Sequence, residues 1–306
     1  MEQNLYELFS RAMPGLEIRQ NEPLSRHTSF RVGGPAELLL CPKSETELAR
    51  ILRLCREREI RPVILGGGTN VLAPDDGVAG VVLSTKCLRD LRLTGETELR
   101  AQCGVTLSRL AMLACRHGLS GLEFAQGIPG TVGGGLYMNA GAFGGEMADV
   151  VASARVMDSD GSVHELFLPE MDLSYRKSGF MGRDCLILSA KFRLRPGDPA
   201  EIGARMREFA EKRQASQPLD KPSAGSTFKR PPNAFAAKLI QEAGLKGFRI
   251  GDAAVSEKHA GFVVNLGHAT ASEILCLMDR VREEVLAKFG VLLEPEVRIW
   301  KREETK

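Results

Sequence analysis

Between Phe124 and Gly145 the chain runs for 22 residues without a charged side chain, and eight of those residues are glycine. Glycine loses more backbone freedom on folding than any other residue. Such a density is costly unless the main chain takes special dihedrals or approaches something closely. Bare backbone in this amount suits a phosphate-bearing cofactor held by N–H groups. The stretch is long enough to cross a bilayer, yet its glycines together with Gln126, Pro129 and Asn139 make it too polar for a spanning helix. It reads as a loop that holds a ligand.

A second glycine turn, Gly66-Gly67-Gly68-Thr69-Asn70, follows the short apolar run Pro62–Leu65. It lacks the Lys-Ser/Thr ending of a P-loop, and no G-x-G-x-x-G opens a helix after a strand. Neither ATP hydrolysis nor the usual NAD fingerprint is supported. Alone, a G-G-G-T-N turn is an ordinary tight turn. Paired with Gly130-Thr131-Val132-Gly133-Gly134, it becomes half of a cradle: two uncharged nests suit a pyrophosphate whose charge is met by N–H dipoles.

Composition narrows the class. At 306 residues the chain has room for roughly two to three domains. Its 41 basic and 39 acidic residues are dispersed, so no nucleic-acid footprint is expected. Met1–Glu7 has neither a basic n-region nor an apolar h-region, so no signal peptide is expected. The seven cysteines form no C-x-x-C pair and are odd in number, which reads as reduced thiols in a cytoplasmic protein. The five histidines have no metal-ligand spacing, and no metal site is expected. No motif encodes oligomeric state, and a monomer is the working expectation.

Periodicity predicts a helix over 44–59, capped by Ser44 with Glu47 and carrying Leu48, Ile51, Leu52 and Cys55 on one stripe. Apolar runs at 36–41, 62–65 and 78–83 read as strands around it. Further on come strands near 91 and 97–102, a helix from Thr106 with Gly118 just past its end, a hairpin about Ser159-Asp160-Gly161, and a strand over 186–194. Pro196-Gly-Asp-Pro199 marks a break. Helices over 200–215 and 272–289, a loop at 216–233, a short helix ending at Gly244 and a strand at 261–265 follow. Strands and helices mix without regular alternation, which favours an α+β fold over a doubly wound sheet. The expected divisions are 1–85, 86–197 and 198–306.

Three polar spots lie outside the glycine turns. Tyr175-Arg176-Lys177-Ser178-Gly179-Phe180 puts an arginine in a short polar loop, and Ala224-Gly225-Ser226-Thr227-Phe228-Lys229 puts a serine between small residues. In Glu294-Pro295-Glu296-Val297-Arg298, strand alternation places Glu296 and Arg298 on one face and Val297 on the other. Taken singly, these read as a solvated basic turn, a structural turn and a salt-bridged edge strand. No G-x-S-x-G elbow is present, which argues against a hydrolase nucleophile.

Taken in order, the segments resemble the UDP-N-acetylenolpyruvoylglucosamine reductase (MurB) family of flavoenzymes. The likeness runs from Thr28-Ser-Phe-Arg-Val-Gly-Gly-Pro-Ala36 to Glu294–Arg298. It passes through Gly66–Asn70, Gly127-Ile-Pro-Gly-Thr-Val-Gly-Gly134, Asn139-Ala140-Gly141, Tyr175–Phe180, Ala224–Lys229, Ala243-Gly-Leu-Lys-Gly247 and Lys258-His-Ala-Gly-Phe262. Each string is weak alone, and the ordered set is specific.

The resemblance implies FAD held between two N-terminal α+β subdomains of the vanillyl-alcohol-oxidase type, with a C-terminal α+β domain that binds substrate. Cofactor contacts are implied at Gly66, Gly67, Gly68, Thr69 and Asn70, at Gly130, Thr131, Val132, Gly133 and Gly134, and at Asn139, Ala140 and Gly141. Substrate contacts are implied at Tyr175 and Lys229. The implied reaction consumes NADPH and reduces the enolpyruvyl ether of a UDP-sugar for peptidoglycan synthesis, with hydride added at C3 and a proton at C2. Arg176 matches the residue that polarises the carboxylate, and Ser226 matches the proton donor, with Lys229 as a neighbour able to polarise it. Glu296 matches a carboxyl that must be protonated, and burial near like charge is the expected route to its raised pKa.

Departures are local. Arg230 stands where the family commonly has asparagine, and the ending Arg298-Ile-Trp300 differs from the usual apolar-Gly finish. The span from Phe180 to Leu186 is too short for the tyrosine-bearing lid of one branch. The rival readings are another vanillyl-alcohol-oxidase-type enzyme, which predicts no Arg176–Ser226–Glu296 trio, and an inactive flavin-binding paralogue, which predicts loss of at least one of the three.

Overall fold

Leu38 and Leu40 alternate with Leu39 and Cys41 along one strand, and all four are buried, so that strand must be covered on both faces. This is β2 (Pro35–Cys41) in a computed structural model that describes residues 4–303. The first residues of the N-terminal segment, Met1–Gln3, lie outside the described residues. With β1 (Glu17–Pro23), β3 (Val63–Leu65) and β5 (Val78–Ser84), β2 forms a sheet of order β1-β2-β5-β3, antiparallel at β1–β2 and parallel elsewhere. Strand β4 (Val71–Leu72) leaves this sheet to pair at the far end of the chain. On one face lie helix α1 (Leu5–Ala12), through Phe9, and helix α2 (Glu45–Glu57), through Leu48, Ile51, Leu52 and Cys55. Ser44 Oγ accepts the Glu47 N–H at 3.1 Å, the cap that the sequence predicts.

The second sheet has the order β12-β11-β13-β7-β6 and is antiparallel throughout. It comprises β6 (Leu91–Leu93), β7 (Glu98–Gln102), β11 (Val151–Asp158), β12 (Val163–Phe167) and β13 (Cys185–Arg193). Strand β11, the first arm of the hairpin expected about Ser159-Asp160-Gly161, starts at Val151, because Val151, Ser153 and Ala154 already pair with β13. Helix α3 (Leu107–Arg116) caps on Thr106 and ends before Gly118, whose φ of +62° suits only glycine comfortably. Short strands β8 (Leu119–Ser120) and β14 (Arg195–Pro196) pair beside it.

The glycine stretch is not wholly a loop. It contains helix α4 (Val132–Tyr137) and the hairpin of β9 (Gly141–Ala142) with β10 (Gly145–Glu146). Glycine weakens an isolated helix, so propensity hides α4. Packing overrides it: a Cβ on Gly133 would sit 2.9 Å from Cys103 Cβ, so only glycine lets the helix approach β7's end this closely.

After the Pro196–Pro199 break comes helix α5 (Pro199–Ser216). The break separates chain segments rather than cores, since Ile202 and Met206 of α5 pack into the core of the second sheet. A third core gathers α6 (Ala236–Glu242), α7 (Ala271–Phe289) and a small antiparallel sheet of β15 (Arg249–Ile250), β16 (Ala253–Val255) and β17 (Val263–Asn265). It also takes in Phe30, Val32 and Leu72 from the N-terminal part.

The closing segment is not one edge strand. Pro295 bridges Phe228, whereas β18 (Arg298–Ile299) runs parallel to β4. Val297 is buried as alternation requires, but the ionic partner of Glu296 is Arg176, not Arg298. No helix among the described residues is long and apolar enough to cross a membrane.

Polar bonds of Asn265 and Asp75 fasten the third core to loops beside the first sheet. Asn265 Nδ2 donates to the Phe30 carbonyl at 3.0 Å. Asp75 caps α7 from 196 residues away, its carboxylate accepting the N–H groups of Ala271 (2.6 Å) and Ser272 (2.9 Å). Partial burial opposes ionisation of Asp75, but these bonds outweigh it and hold the carboxyl below its ordinary range. Asp75→Ala should cost about 1 kcal/mol of stability at neutral pH, the usual worth of such a cap. Because the folded-state pKa is lowered, that difference should persist above the unfolded value near ~4 and vanish as pH falls through the folded one. Urea unfolding of both proteins across that range measures it.

Candidate active site

Gly67 and Gly130 bring the two glycine turns together. A Cβ on Gly67 would lie 3.1 Å from Gly130 Cα, so the main chains touch with no side chain between them. Thr69 Oγ1 locks the contact by donating to the Pro129 carbonyl at 3.0 Å. At Gly68 the φ is +70° and a Cβ would lie 1.9 Å from the His27 carbonyl oxygen, so glycine is obligatory there. The turns face a cleft of about 1640 Å³, larger than the ~300–1,000 Å³ usual for one small ligand and roomy enough for two. In a separate polar depression, Arg155 pairs with Glu45, Arg92 with Asp90, and Arg100 donates to Ser189 Oγ.

Most of the sequence-predicted residues line the large cleft. Gly66 to Asn70, Gly130, Thr131, Gly133, Gly134, Ala140, Gly141, Arg176, Ser226, Lys229 and Glu296 all do so. Val132, Asn139 and Tyr175 stand back from it. The amides of Val132 and Gly133 are already bonded to the carbonyls of Val105 (2.8 Å) and Cys103 (2.9 Å). What these two residues give the cradle is a close-packed floor rather than open donors.

The Asn139 side chain is a brace. It is fully buried with φ +41°, its Oδ1 accepts the Ala148 N–H (3.0 Å) and its Nδ2 donates to the Ser174 carbonyl (3.1 Å). Both ends of the amide are thus engaged within the protein, and the second bond holds the loop that carries Arg176. Ser178 Oγ ties the same loop to the Tyr137 carbonyl at 2.7 Å.

Arg176, also at positive φ (54°), reaches across the cleft. Its Nε donates to Glu296 Oε1 at 2.6 Å, and its guanidinium lies 5.0 Å from the Tyr175 ring. The exposed Tyr175 accepts the Arg230 N–H at its hydroxyl (3.1 Å). Arg230 itself turns its guanidinium onto the Phe235 ring, 4.6 Å away.

Backbone bonds set Ser226 and Glu296 on one wall. The buried Thr227 accepts the Glu296 N–H (2.8 Å) and donates its own N–H to Gly261 (2.8 Å), while its Oγ1 accepts from the Val263 N–H (2.9 Å). Asn70 completes the junction, its Nδ2 donating to the Glu296 carbonyl (3.1 Å) and its carbonyl accepting the Arg298 N–H (3.0 Å). The last residue of the first glycine turn therefore positions the carboxyl-bearing segment.

Burial pushes the Glu296 carboxyl above the ordinary carboxylate range, against the opposing pull of Arg176 and Lys229. The expected like-charge neighbour is not what raises it; the charges acting on it are positive, and desolvation outweighs them. Lys229 Nζ pairs with Glu294 Oε1 at 2.5 Å, so its charge is engaged by the carboxylates rather than directed at Ser226. Behind Gly133, burial drives the Cys103 thiol up to about 12, so it brings no charge to the cleft.

Buried Ser29 Oγ and Thr131 Oγ1 have no hydrogen-bond partner. A Cβ on the exposed Gly134 would meet nothing nearer than Thr131 Oγ1 at 3.8 Å. Orphaned hydroxyls and open backbone at this wall fit a flavin dinucleotide. Sequence reasoning missed Ser29, Cys103 and Arg213 on this wall, since each is a common residue inside an otherwise ordinary segment.

A profile of an FAD binding domain matches residues 36–166, and one of the UDP-N-acetylenolpyruvoylglucosamine reductase C-terminal domain matches residues 217–300. A UDP-N-acetylenolpyruvoylglucosamine reductase 2 from Symbiobacterium thermophilum is 50% identical, with 94% of this chain and 93% of that protein aligned. The chain belongs to the UDP-N-acetylenolpyruvoylglucosamine reductase family. A reductase of this family from Caldanaerobacter subterraneus is 47% identical over 91% of this chain and 92% of its own. The crystal structure of the family member from Thermus caldophilus superposes with a TM-score of 0.80 at 37% identity, covering 94% of this chain and 99% of that one.

Filling the cradle without disturbing the fold separates the two roles of glycine. Gly134→Ala adds a methyl that faces the cleft and relieves the ~0.5–1 kcal/mol helix cost of glycine. The apoprotein should melt no lower than the parent, while FAD affinity, titrated by flavin fluorescence, should fall about tenfold or more.

Proposed function

We propose that this protein reduces UDP-N-acetylenolpyruvoylglucosamine to UDP-N-acetylmuramate at the expense of NADPH, as an FAD enzyme of cytoplasmic peptidoglycan precursor synthesis. The observation that carries this reading is the convergence of Arg176, Glu296 and Ser226 on one cleft beside the paired glycine turns. Gly66 to Thr69, Gly130, Thr131, Gly134, Ala140 and Gly141 would hold FAD. When bound, it supplies the hydride for C3 of the enolpyruvyl group after taking it from NADPH.

The chain's own residues manage charge and protons. Arg176 polarises the substrate carboxylate as negative charge spreads from C2. Glu296 keeps Oε1 on Arg176 and, when protonated, donates from Oε2 to the developing enolate. Ser226 Oγ protonates C2, which completes addition of hydride and proton across the double bond, and regains its proton from solvent. Free thiols at all seven cysteines accord with a reducing compartment.

The direct test is NADPH oxidation that depends on the enolpyruvyl substrate and yields a product heavier by two hydrogens. Purified protein that carries no flavin and takes none up would sink the reading. For the proton donor, Ser226→Ala should leave flavin reduction by NADPH intact and slow reoxidation by substrate about 10²–10⁴-fold; stopped-flow of both half-reactions resolves them. If both stayed normal, Ser226 would not be the donor. A protonated Glu296 also predicts that the substrate half-reaction weakens as pH rises through its elevated pKa. Glu296→Gln, which cannot titrate, should be slower and lack that limb of the pH profile.

A further inference from the structure

Arg213 lines the cleft at the last turn of α5 and is only 7% exposed, yet its Nε and Nη2 meet no hydrogen-bond partner. A buried guanidinium with unmet donors is costly, and desolvation pushes its pKa down. The surroundings place it rather than neutralise it. Its guanidinium lies 5.0 Å over the Phe143 ring, which stacks on Phe209 at 4.6 Å. Its stem lies against Gly127, where a Cβ would come within 3.1 Å of Cδ and 3.3 Å of Nε. Glycine at 127 therefore makes room for this side chain, and an aromatic pair keeps it there.

A planar fork with free donors, held beside an uncharged glycine bed, matches a phosphate oxyanion better than any group of the protein around it. We propose that Arg213 binds a diphosphate in the cleft. The inference rests on the functional reading above, in which two diphosphates enter the cleft, that of FAD and that of the UDP-sugar. Contact with Gly127 and Phe143, both in the glycine stretch, favours the cofactor's.

The test uses Arg213→Met, which keeps the apolar stem and removes charge and donors, and Arg213→Lys, which keeps charge without the fork. FAD and riboflavin, which has no phosphate, are titrated into the apoproteins by flavin fluorescence, and UDP into the holoproteins by the flavin difference spectrum. Hydrogen bonds to charged groups are worth enough to predict FAD binding about ten- to a hundredfold weaker in the methionine variant, with riboflavin unchanged and lysine in between. The methionine apoprotein should melt no lower than the parent, because an unpaired buried cation has gone.

Unchanged FAD with UDP weakened about tenfold also supports the proposal, and assigns the substrate's diphosphate. Equal FAD and UDP affinity in all three proteins overturns it. So does equal loss of FAD and riboflavin, which marks a packing role. Should the methionine variant not fold, the lysine variant decides by the same comparison of FAD with riboflavin. A parent protein that bound neither FAD nor UDP would defeat the functional reading as well.

Discussion

Two stretches of main chain meet at Gly67 and Gly130 with no side chain between them, and the cleft is built around that contact. A Cβ on Gly67 would press on the Gly130 backbone at 3.1 Å and force a shift of a few tenths of an ångström in a close-packed interior. The contact also fixes distances further out. Thr69 fastens the first turn to the second, Asn70 carries it on to the Glu296 carbonyl, and Asn139 carries the second to the Arg176 loop. The arginine and the glutamate that meet at 2.6 Å thus hang from opposite ends of one backbone junction.

That arrangement explains how an acid can sit beside an arginine and still have a raised pKa. Coulombic attraction favours the carboxylate, but the Glu296 side chain is only 13% exposed, so water is largely excluded from it. Ionising it costs more in lost hydration than the guanidinium returns. The bond geometry keeps one oxygen on arginine and leaves the other free to hold a proton, so orientation and protonation are set by separate features.

The sequence was most legible where a local rule has no competitor. The caps at Ser44 and Thr106, the terminating Gly118, and the stripe on α2 all follow from nearest-neighbour chemistry. It was least legible where tertiary contact overrides propensity. Helix α4 is three-sixths glycine and exists because Gly133 fits against Cys103. Asn139 sits in a ligand-like motif, and the bracing role of its side chain depends on partners nine and thirty-five residues away. Arg213 is an unremarkable cation in a charged helix until its burial and missing partners are seen together.

The pairing of β4 with β18, and of Asn70 with Glu296, has a consequence for assembly. The partners are separated by 226 residues for Asn70 and Glu296 and by 227 for the strand pair. Contacts of such separation close late, because the intervening loop entropy must be overcome before they return anything. On the ribosome the first glycine turn emerges long before the segment that pins it. The N-terminal sheets can collapse around their own cores while that turn still lacks its final restraint. The first glycine turn and the Glu296 carboxyl are therefore fixed in the same late event, and a chain stalled before residue 296 would carry a folded body with an unfinished cleft.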